Sequence, residues 1–470
     1  MAIKRGATRR IAGRNPKGRK LRQIRLHDSR TGRVVPLTPR APGRAGVYAC
    51  GPTVYGRIHV GNARPFVVFS LLKRFLEHEG LETTLVANVT DINDKIYVAA
   101  RAQGVDSADL AARMTAAYVR DTDGLGLGRP DAEPLATDTV PAIVELIETL
   151  IARGHAYEAA GDVYFRVRSH AGYGELSHRD VDQMDQGEGI EGADRKEDPL
   201  DFALWKATKP DEDTAWDSPW GPGRPGWHIE CSAMAEEALG LPVDIHGGGS
   251  DLLFPHHENE AAQTEAGRGE PLATIWMHNG MIELDTKIEL DTKMSKSLGN
   301  IVGLAEALTS VGRDALVMYF AGTHYRSPAQ WRDGVLAQAA ARAKGFREAG
   351  RRLVEGDSPP ELAVHREAFL DALADDFNTP AALTAAHAWV RDAPDGAGDS
   401  HLREMLGLLG LDNLLDPEGG PPPEIEALAQ DRVAARAAGD FATADRLRDE
   451  LRAAGWEVRD GPDGPRLHPV

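Results

Sequence analysis

The stretch from residue 46 to residue 91 constrains the fold more than any other part of the chain. A short apolar segment ends there at a Gly-Pro pair, followed by FVVFSLLKRFLEHEG with apolar residues at helical spacing and by the strand-like LETTLVANVTD. This order predicts a βαβ unit, and therefore a parallel sheet covered by helices. Ligands of such sheets bind at the carboxyl ends of the strands, where we expect Cys50, His59 and Thr90.

Composition changes predict several further units. Acidic stretches rich in Gly and Pro interrupt the α/β pattern from about residue 120 to 220 and indicate an inserted subdomain, after which VDIHGGGSDLLF predicts that the sheet resumes. Residues 326–415 repeat Ala, Leu, Arg and Glu at helical spacing and predict an all-α domain. The Pro- and Gly-rich segment 416–424 is a predicted linker, which leaves 425–470 as a small C-terminal unit.

The C-terminal unit contains one well-marked helix. Asp440 is a suitable N-cap, and Gly455 can end the helix. The spacing predicts that Phe441, Ala444, Leu447 and Leu451 share one face.

The charge balance and the cysteine count exclude several classes of protein. The chain has 54 basic and 72 acidic residues, a net charge of −18, which argues against coating nucleic acid by bulk charge. Residues 1–20 carry eight basic residues and no acid, and predict a disordered extension that is either an RNA-contacting arm or a solvated tail. Two cysteines and no apolar run of about 18 residues predict a protein of the reducing cytoplasm without a membrane span.

HVGN, residues 59–62, lies at the turn into the first predicted helix. Free backbone N–H groups and the helix dipole favour phosphate at such a position, and Gly61 permits a close backbone approach. His59 can donate a hydrogen bond to developing charge. Taken alone, the tetrapeptide is weak evidence and more often marks a surface histidine at a helix start.

A second segment, KMSKS at residues 293–297, favours the functional interpretation of HVGN over that of a surface histidine. Lys293 and Lys296, with two serine hydroxyls, would clamp the pyrophosphate that leaves ATP, where negative charge grows in the transition state.

The two signatures together resemble the HIGH and KMSKS motifs of the class I aminoacyl-tRNA synthetases. Further stretches resemble the cysteinyl-tRNA synthetase family over about residues 21–470: YACGPTVYGRIHVGNARP, NVTDINDK, GWHIECSAM, GGGSDLLFPHHENE and WMHNG. The resemblance implies a Rossmann-type catalytic domain, residues 21–325, with an inserted connective subdomain, followed by an all-α anticodon-binding domain. It also implies a monomer that attaches L-cysteine to tRNA(Cys) through cysteinyl-adenylate, using ATP with Mg²⁺.

The resemblance further implies one zinc ion per chain, bound by Cys50, Cys231, His256 and Glu260. Spacing alone places only His256 and Glu260 on one helical face, and leaves His257 as an alternative ligand. Zinc would explain specificity, because it binds a thiolate firmly while a serine hydroxyl competes poorly.

Other roles are carried over from the family in the same way. His59, Asn62, Lys293 and Lys296 would be catalytic, and Gly61 would join His59, Asn62 and Lys296 in binding ATP. Gly248, Gly249 and Asp251 would contact the adenosine, while Thr90 and Trp227 would line the amino-acid pocket. Bases are read by stacking on aromatic rings, so Trp331, Trp389 and Trp456 are candidates for anticodon contacts, with core packing as the alternative for each.

A perfect repeat, IELDTKIELDTK at residues 282–293, departs from the family, which has one such element. Alternation of apolar and polar residues predicts a strand for the first copy, with Asp-Thr-Lys as its turn. Because six is even, a second copy preserves the faces of the strand. Our hypothesis is a longer hairpin or an extruded loop. Gly56 is a second departure, since relatives usually have Asp there.

Two other functions are compatible with these motifs. A mycothiol-pathway ligase also activates cysteine on zinc, but it lacks the long C-terminal tail and its first motif usually ends in His rather than Asn62. A zinc- and tRNA-binding paralogue with a clamp disabled by the repeat would bind without catalysis.

Overall fold

The computed structural model describes residues 22–184, 194–284, 292–293, 302–416, 423–461 and 464–469. The first part of the chain alternates strands and helices as predicted. Its elements are β1 (Arg25–Asp28), β2 (Arg33–Pro36), β3 (Arg44–Ala49), α1 (Val60–His78), β4 (Glu82–Ala87), α2 (Asp94–Gln103), α3 (Ser107–Asp123) and α4 (Val140–Ala152).

A separate antiparallel sheet lies within the interval for which an insertion is predicted. It comprises β5 (Ala156–Ala159), β6 (Asp162–Phe165), β7 (Phe202–Ala207) and β8 (Gly223–Pro225), paired in chain order. Buried side chains of this sheet, among them Phe165 and Trp205, share one apolar cluster with Tyr48 of β3 and Val86 of β4. The insertion is therefore packed onto the catalytic domain by a common core.

The catalytic sheet resumes after the insertion. The next elements are α5 (Trp227–Leu239), β9 (Val243–Gly249), α6 (Glu258–Arg268) and β10 (Ala273–Asn279). The strand order is β10-β9-β3-β4 and every pair is parallel, which confirms the predicted α/β sheet. α1 packs against this sheet with Val67, Phe69, Leu72 and Phe75 at 1% exposure or less. The apolar face of α1 therefore forms the centre of the core.

A small three-stranded sheet follows. The elements are β11 (Ile282–Leu284), β12 (Thr292–Lys293), α7 (Leu304–Ser310), α8 (Arg313–Ala321) and β13 (Ala329–Trp331). β11 pairs antiparallel with β12 and parallel with β13.

The predicted all-α domain is confirmed. It consists of α9 (Asp333–Gly350), α10 (Ala363–Ala374), α11 (Thr379–Asp392) and α12 (Ser400–Leu408). Phe346, Phe369 and Trp389 are fully buried in its core. No helix within the described ranges is long and apolar enough to cross a membrane.

The C-terminal unit contains α13 (Pro423–Ala437), α14 (Phe441–Ala453), β14 (Trp456–Gly461) and β15 (Gly464–Pro469). Asp440 caps α14 as predicted, because its side chain accepts a hydrogen bond from the Thr443 N–H at 3.0 Å. On the predicted shared face, Ala444, Leu447 and Leu451 are buried, whereas the side chain of Phe441 at the first position of the helix is 66% exposed. Strands β14 and β15 form a hairpin that the sequence did not predict.

Candidate active site

The site lies at the carboxyl edge of the parallel sheet. Cys50 directly follows β3, and its backbone N–H donates to the carbonyl of Gly247 in β9 at 2.9 Å. Glycine is required at position 51, where a Cβ atom would lie 1.7 Å from the carbonyl oxygen of Asn88. The ends of neighbouring strands therefore approach closely enough to bring distant side chains together.

Four side chains converge at this edge and form what we call the thiol cluster: Cys50, Cys231, His256 and Glu260. The Cys50 sulfur is 3.8 Å from the Cys231 sulfur, 3.6 Å from Nε2 of His256 and 3.7 Å from Oε1 of Glu260. Helix α5 supplies Cys231, α6 supplies Glu260, and the turn before α6 supplies His256. His256 and Glu260 are neighbours on successive turns, with Nε2 and Oε1 2.8 Å apart.

These separations fit a zinc site. Around a tetrahedral Zn²⁺ with Zn–S of about 2.3 Å, two sulfurs lie about 3.8 Å apart, and a sulfur lies about 3.5 Å from a nitrogen or oxygen ligand. The three distances from Cys50 agree with these values. The His256–Glu260 pair is closer, at the distance of an ionic hydrogen bond. Two soft thiols with an imidazole and a carboxylate are also the donor types that zinc prefers.

His257 remains an alternative ligand. Its Nε2 is 3.3 Å from the Cys50 sulfur, and one ligand atom each from Cys50, His256, His257 and Glu260 lie within 4.8 Å of one another. Its other ring nitrogen, Nδ1, is 2.7 Å from Nε2 of His278.

Burial and neighbouring charges shift the pKa values of the side chains in the thiol cluster. Burial alone would raise the pKa of Glu260, but His256 and His246 hold it well below its usual range. A hydrogen bond with Cys50 lowers the pKa of Cys231 to about 6, against the opposing effect of burial. Burial and the neighbouring Cys231 raise the pKa of Cys50. Burial would lower the pKa of His256, but Glu260 and Cys231 raise it to about 10. At neutral pH the cluster therefore holds a carboxylate, one thiolate and an imidazolium, and His256 would release its ring proton on binding zinc.

Three further histidines support the cluster, and the sequence reasoning missed them. His228 Nδ1 is 2.9 Å from Nδ1 of His256, and His246 Nε2 is 2.7 Å from Oε2 of Glu260. His278 contacts His257 and, through Nδ1, the Ser29 hydroxyl at 2.7 Å. Such contacts fix the ring orientation of ligand residues. His228 and His278 lie in family-like stretches and His246 directly precedes one, but no local pattern assigns them a role.

The HVGN segment forms the N-terminus of α1 and is a reciprocal capping box. The Asn62 N–H donates to Nδ1 of His59 at 3.3 Å, and the His59 N–H donates to Oδ1 of Asn62 at 3.2 Å. A Cβ atom at Gly61 would lie 2.8 Å from the His59 ring. Glycine therefore allows the imidazole to fold over the helix end. Because Nδ1 accepts, a neutral His59 ring carries its proton on Nε2.

A cavity of about 120 Å³ joins this helix end to the thiol cluster. Its walls include Cys50, His59, Gly61, Asn62, Gly249 and Asp251. Gly248 lies beside it, where a Cβ atom would be 2.8 Å from Leu252 and 3.5 Å from the Cys50 Cβ. The structure thus brings six sequence-predicted residues to one cavity.

Trp227 and Thr90, which were predicted to line the amino-acid pocket, are not among the walls of this cavity. The Trp227 ring stacks on that of His256, with centroids 4.2 Å apart, and lines a second cavity of about 560 Å³. Thr90 is 1% exposed, and its hydroxyl accepts a hydrogen bond from the Asn88 amide at 3.1 Å. Thr90 therefore supports the loop that carries the pocket.

Glu230, which the sequence reasoning missed, lines the same second cavity beside Trp227. Both of its carboxylate oxygens are buried without a hydrogen-bond partner among the described residues. Burial raises the pKa of Glu230 well above its usual range. A cationic group of a ligand beside Glu230 would favour its ionised form and give its oxygens a partner.

The described part of the repeat forms a hairpin. Glu283 of the first copy pairs with Lys293, and Leu284 pairs with Thr292. Residues 285–291 and 294–301, including Lys296, lie outside the described residues. Beyond them, the Val60 N–H donates to the Val302 carbonyl at 3.0 Å, so the chain returns to the HVGN segment.

The three tryptophan candidates for anticodon contacts differ in exposure. Trp389 has no exposed surface, so core packing, the alternative given for it, applies and base stacking does not. Trp331 is partly buried and packs edge-on against Tyr319. Trp456 packs against the small core of the C-terminal unit.

A parallel sheet whose first crossover helix begins at HVGN, with a hairpin strand ending at Lys293, defines a class I aminoacyl-tRNA synthetase. The family model described as tRNA synthetases class I (C) catalytic domain matches residues 36–341, and the cysteinyl-tRNA ligase anticodon binding domain matches 418–465. The chain belongs to the cysteine–tRNA ligase family.

Individual relatives agree with this assignment. The cysteine–tRNA ligase of Anoxybacillus flavithermus is 42% identical over 94% of this chain and 99% of its own length. That of Chromohalobacter salexigens is 44% identical over 94% and 98%. The solved Mycobacterium tuberculosis methionyl-tRNA synthetase with methionyl-adenylate superposes with a TM-score of 0.57 at 16% identity, covering 79% of this chain and 90% of that one. This last similarity supports the fold alone.

Proposed function

We propose that this chain attaches L-cysteine to tRNA(Cys) in two steps, through cysteinyl-adenylate, and that a zinc ion selects the substrate. The observation that carries the proposal is the thiol cluster, whose Cys50 lies in the wall of the cavity formed by the HVGN helix. A zinc ion held by Cys50, Cys231, His256 and Glu260 would bind the substrate as a thiolate, which serine cannot provide.

In the first step, the carboxylate of cysteine attacks the α-phosphorus of ATP, and the bond to the bridging oxygen of pyrophosphate breaks. The N-terminus of α1 and the Nε2–H of His59 stabilise the phosphate charge, and Asn62 holds the His59 ring in place. Lys293 and Lys296 offset the charge that grows on pyrophosphate, with Mg²⁺ accompanying ATP. Gly248, Gly249 and Asp251 contact the adenosine.

In the second step, a ribose hydroxyl at the end of tRNA attacks the carbonyl carbon of the adenylate, and AMP leaves. Most of the acceleration comes from positioning, because Trp227 and Glu230 form the wall against which the amino acid is held. The match at residues 418–465 supports assigning anticodon contacts first to the C-terminal unit, beyond the all-α domain for which they were predicted.

Cysteine-dependent ATP–pyrophosphate exchange, followed by charging of tRNA(Cys), tests the proposal. We expect both activities with cysteine and neither with serine. Exchange without transfer to tRNA would favour the mycothiol-pathway ligase, and the transfer product with an amino-sugar acceptor would identify it. Tight tRNA and zinc binding without exchange would favour the impaired paralogue.

Deleting residues 282–287 tests whether the repeat is tolerated. Deletion of either copy gives the same sequence, MIELDTKMSKS. In the remaining copy only Asp291 separates Leu290 from Thr292, so the leucine–threonine pair cannot form a hairpin, whose shortest common loop has two residues. The glutamate–lysine pair can form across three residues, as Glu289 with Lys293.

We therefore expect the deletion variant to exchange pyrophosphate within about tenfold of the full chain. Rates should be compared at saturating ATP and cysteine. An increase of tenfold or more would contradict tolerance and show that the second copy impairs the loop.

A further inference from the structure

One buried arginine connects the two signature segments. Arg64 lies on α1, two residues beyond Asn62, and is 1% exposed. Its Nη1 donates to the carbonyls of Gly280 and Met281 at 2.5 and 3.2 Å, and its Nη2 donates to those of His324 and Ser327 at 3.0 and 2.7 Å. A single guanidinium thus holds four backbone carbonyls from two separate segments.

These two segments form the base of the hairpin that contains Lys293. Residues 280–281 lead directly into β11, and the turn at 324–327 leads into β13, its parallel neighbour. Their backbones are in contact, because a Cβ atom at Gly280 would lie 2.4 Å from the Ser327 carbonyl. The Gly280 N–H also donates to the Tyr325 carbonyl at 2.8 Å.

The helical domain holds the same turn from its other side. Asp376, between α10 and α11, accepts hydrogen bonds from the Tyr325 hydroxyl at 2.7 Å and from Nε of Arg326 at 2.8 Å. The backbone of Asp376 is left-handed, with φ of +60°. The turn is therefore fixed on both sides, and Arg64 provides its link to the HVGN helix.

The chemistry of Arg64 is unusual for a structural contact. Within the described ranges no carboxylate pairs with it, and burial lowers its pKa to about 10, so the charge persists at neutral pH. A buried charge met only by carbonyl dipoles is costly. Only the planar fork of arginine reaches both segments at once, since a lysine offers its donors from one point.

We propose that Arg64 is a positioning residue for pyrophosphate release: it fixes the base of the Lys293 hairpin relative to His59 and Asn62. The proposal rests on the function proposed above, because that function assigns HVGN and KMSKS to opposite ends of the ATP triphosphate. A shift of about 1 Å between such groups is enough to slow the activation step about a hundredfold. The transfer step does not use the clamp and should not depend on Arg64.

Arg64→Lys tests this, with Arg313→Lys as the matched control. Arg313 also donates to backbone carbonyls of distant segments, those of Leu125 at 2.8 Å and Gly410 at 2.5 Å, but lies away from the signatures. Adenylate formation and the transfer of preformed enzyme-bound adenylate to tRNA are measured separately by rapid quench, with thermal unfolding and bound zinc recorded for each variant.

For Arg64→Lys we expect adenylate formation to fall tenfold or more while transfer, zinc content and the KM for cysteine stay within twofold. For Arg313→Lys we expect both steps to stay within twofold, whatever its unfolding temperature. Equal loss of both steps in Arg64→Lys, or no loss in either, would overturn the inference. Absence of cysteine-dependent exchange in the unaltered chain would instead overturn the proposed function.

Discussion

Replacing Cys231 with serine is expected to remove the bound zinc and to lower cysteine-dependent pyrophosphate exchange by about 10³-fold or more, equivalent to about 4 kcal/mol. The Cys50 thiol would lose its sulfur neighbour at 3.8 Å. The pKa of Cys231 is lowered to about 6, so this side chain supplies a thiolate at neutral pH. A serine hydroxyl does not ionise there and is a poor zinc ligand.

Metal analysis of the purified chain is the first measurement, with one zinc ion expected per unaltered chain and much less than one in Cys231→Ser. Met234→Leu is a suitable control, because Met234 is buried on the same helix and the substitution conserves volume. The control should keep its zinc and its activity. Retention of one zinc ion and of cysteine specificity in Cys231→Ser would contradict the assigned ligand set.

The architecture could be predicted from local patterns. The βαβ unit, the return of the sheet at VDIHGGG and the all-α domain follow from the spacing of apolar residues, since these elements are long and strongly periodic. The start of α1 could not be predicted in the same way. The helix begins at Val60, because His59 serves as its N-cap. Histidine is not among the residues that usually cap helices. The apolar periodicity alone therefore predicts a later start, at the segment FVVFSLLKRFLEHEG.

The site depends on contacts that no local pattern encodes. Cys50 and Glu260 are 210 positions apart. Only the resemblance of the motifs to a known family predicts that the two side chains lie in one site. His228 and Glu230 lie inside the same motifs and His246 directly precedes one, but their roles arise from burial beside the thiol cluster. Trp389 shows the converse case: an aromatic residue in an alanine-rich helix is compatible with stacking on a base or with packing in a core, and only the three-dimensional structure distinguishes them.

Substitutions at His59 are expected to have the second largest effect. This residue has two roles in the structure, because Nδ1 caps α1 while Nε2 remains the protonated nitrogen of the neutral ring. His59→Asn preserves a good N-cap but removes the imidazole donor, whereas His59→Ala removes both. Loss of one donor to a transition-state charge typically costs about 10² to 10³ in rate.

We therefore expect both variants to lower the kcat of pyrophosphate exchange by about 10²-fold or more, with only His59→Ala losing about 1 kcal/mol of folding free energy. Asn378→Ala provides the matched control for a lost cap, since the Asn378 side chain accepts from the Ala381 N–H at 3.1 Å at the start of α11. It should lose similar stability and keep its exchange activity. If His59→Asn exchanged pyrophosphate as fast as the unaltered chain, the imidazole would act only as a cap, and the charge on the phosphates would have to be met by the backbone N–H groups of α1 and the lysines alone.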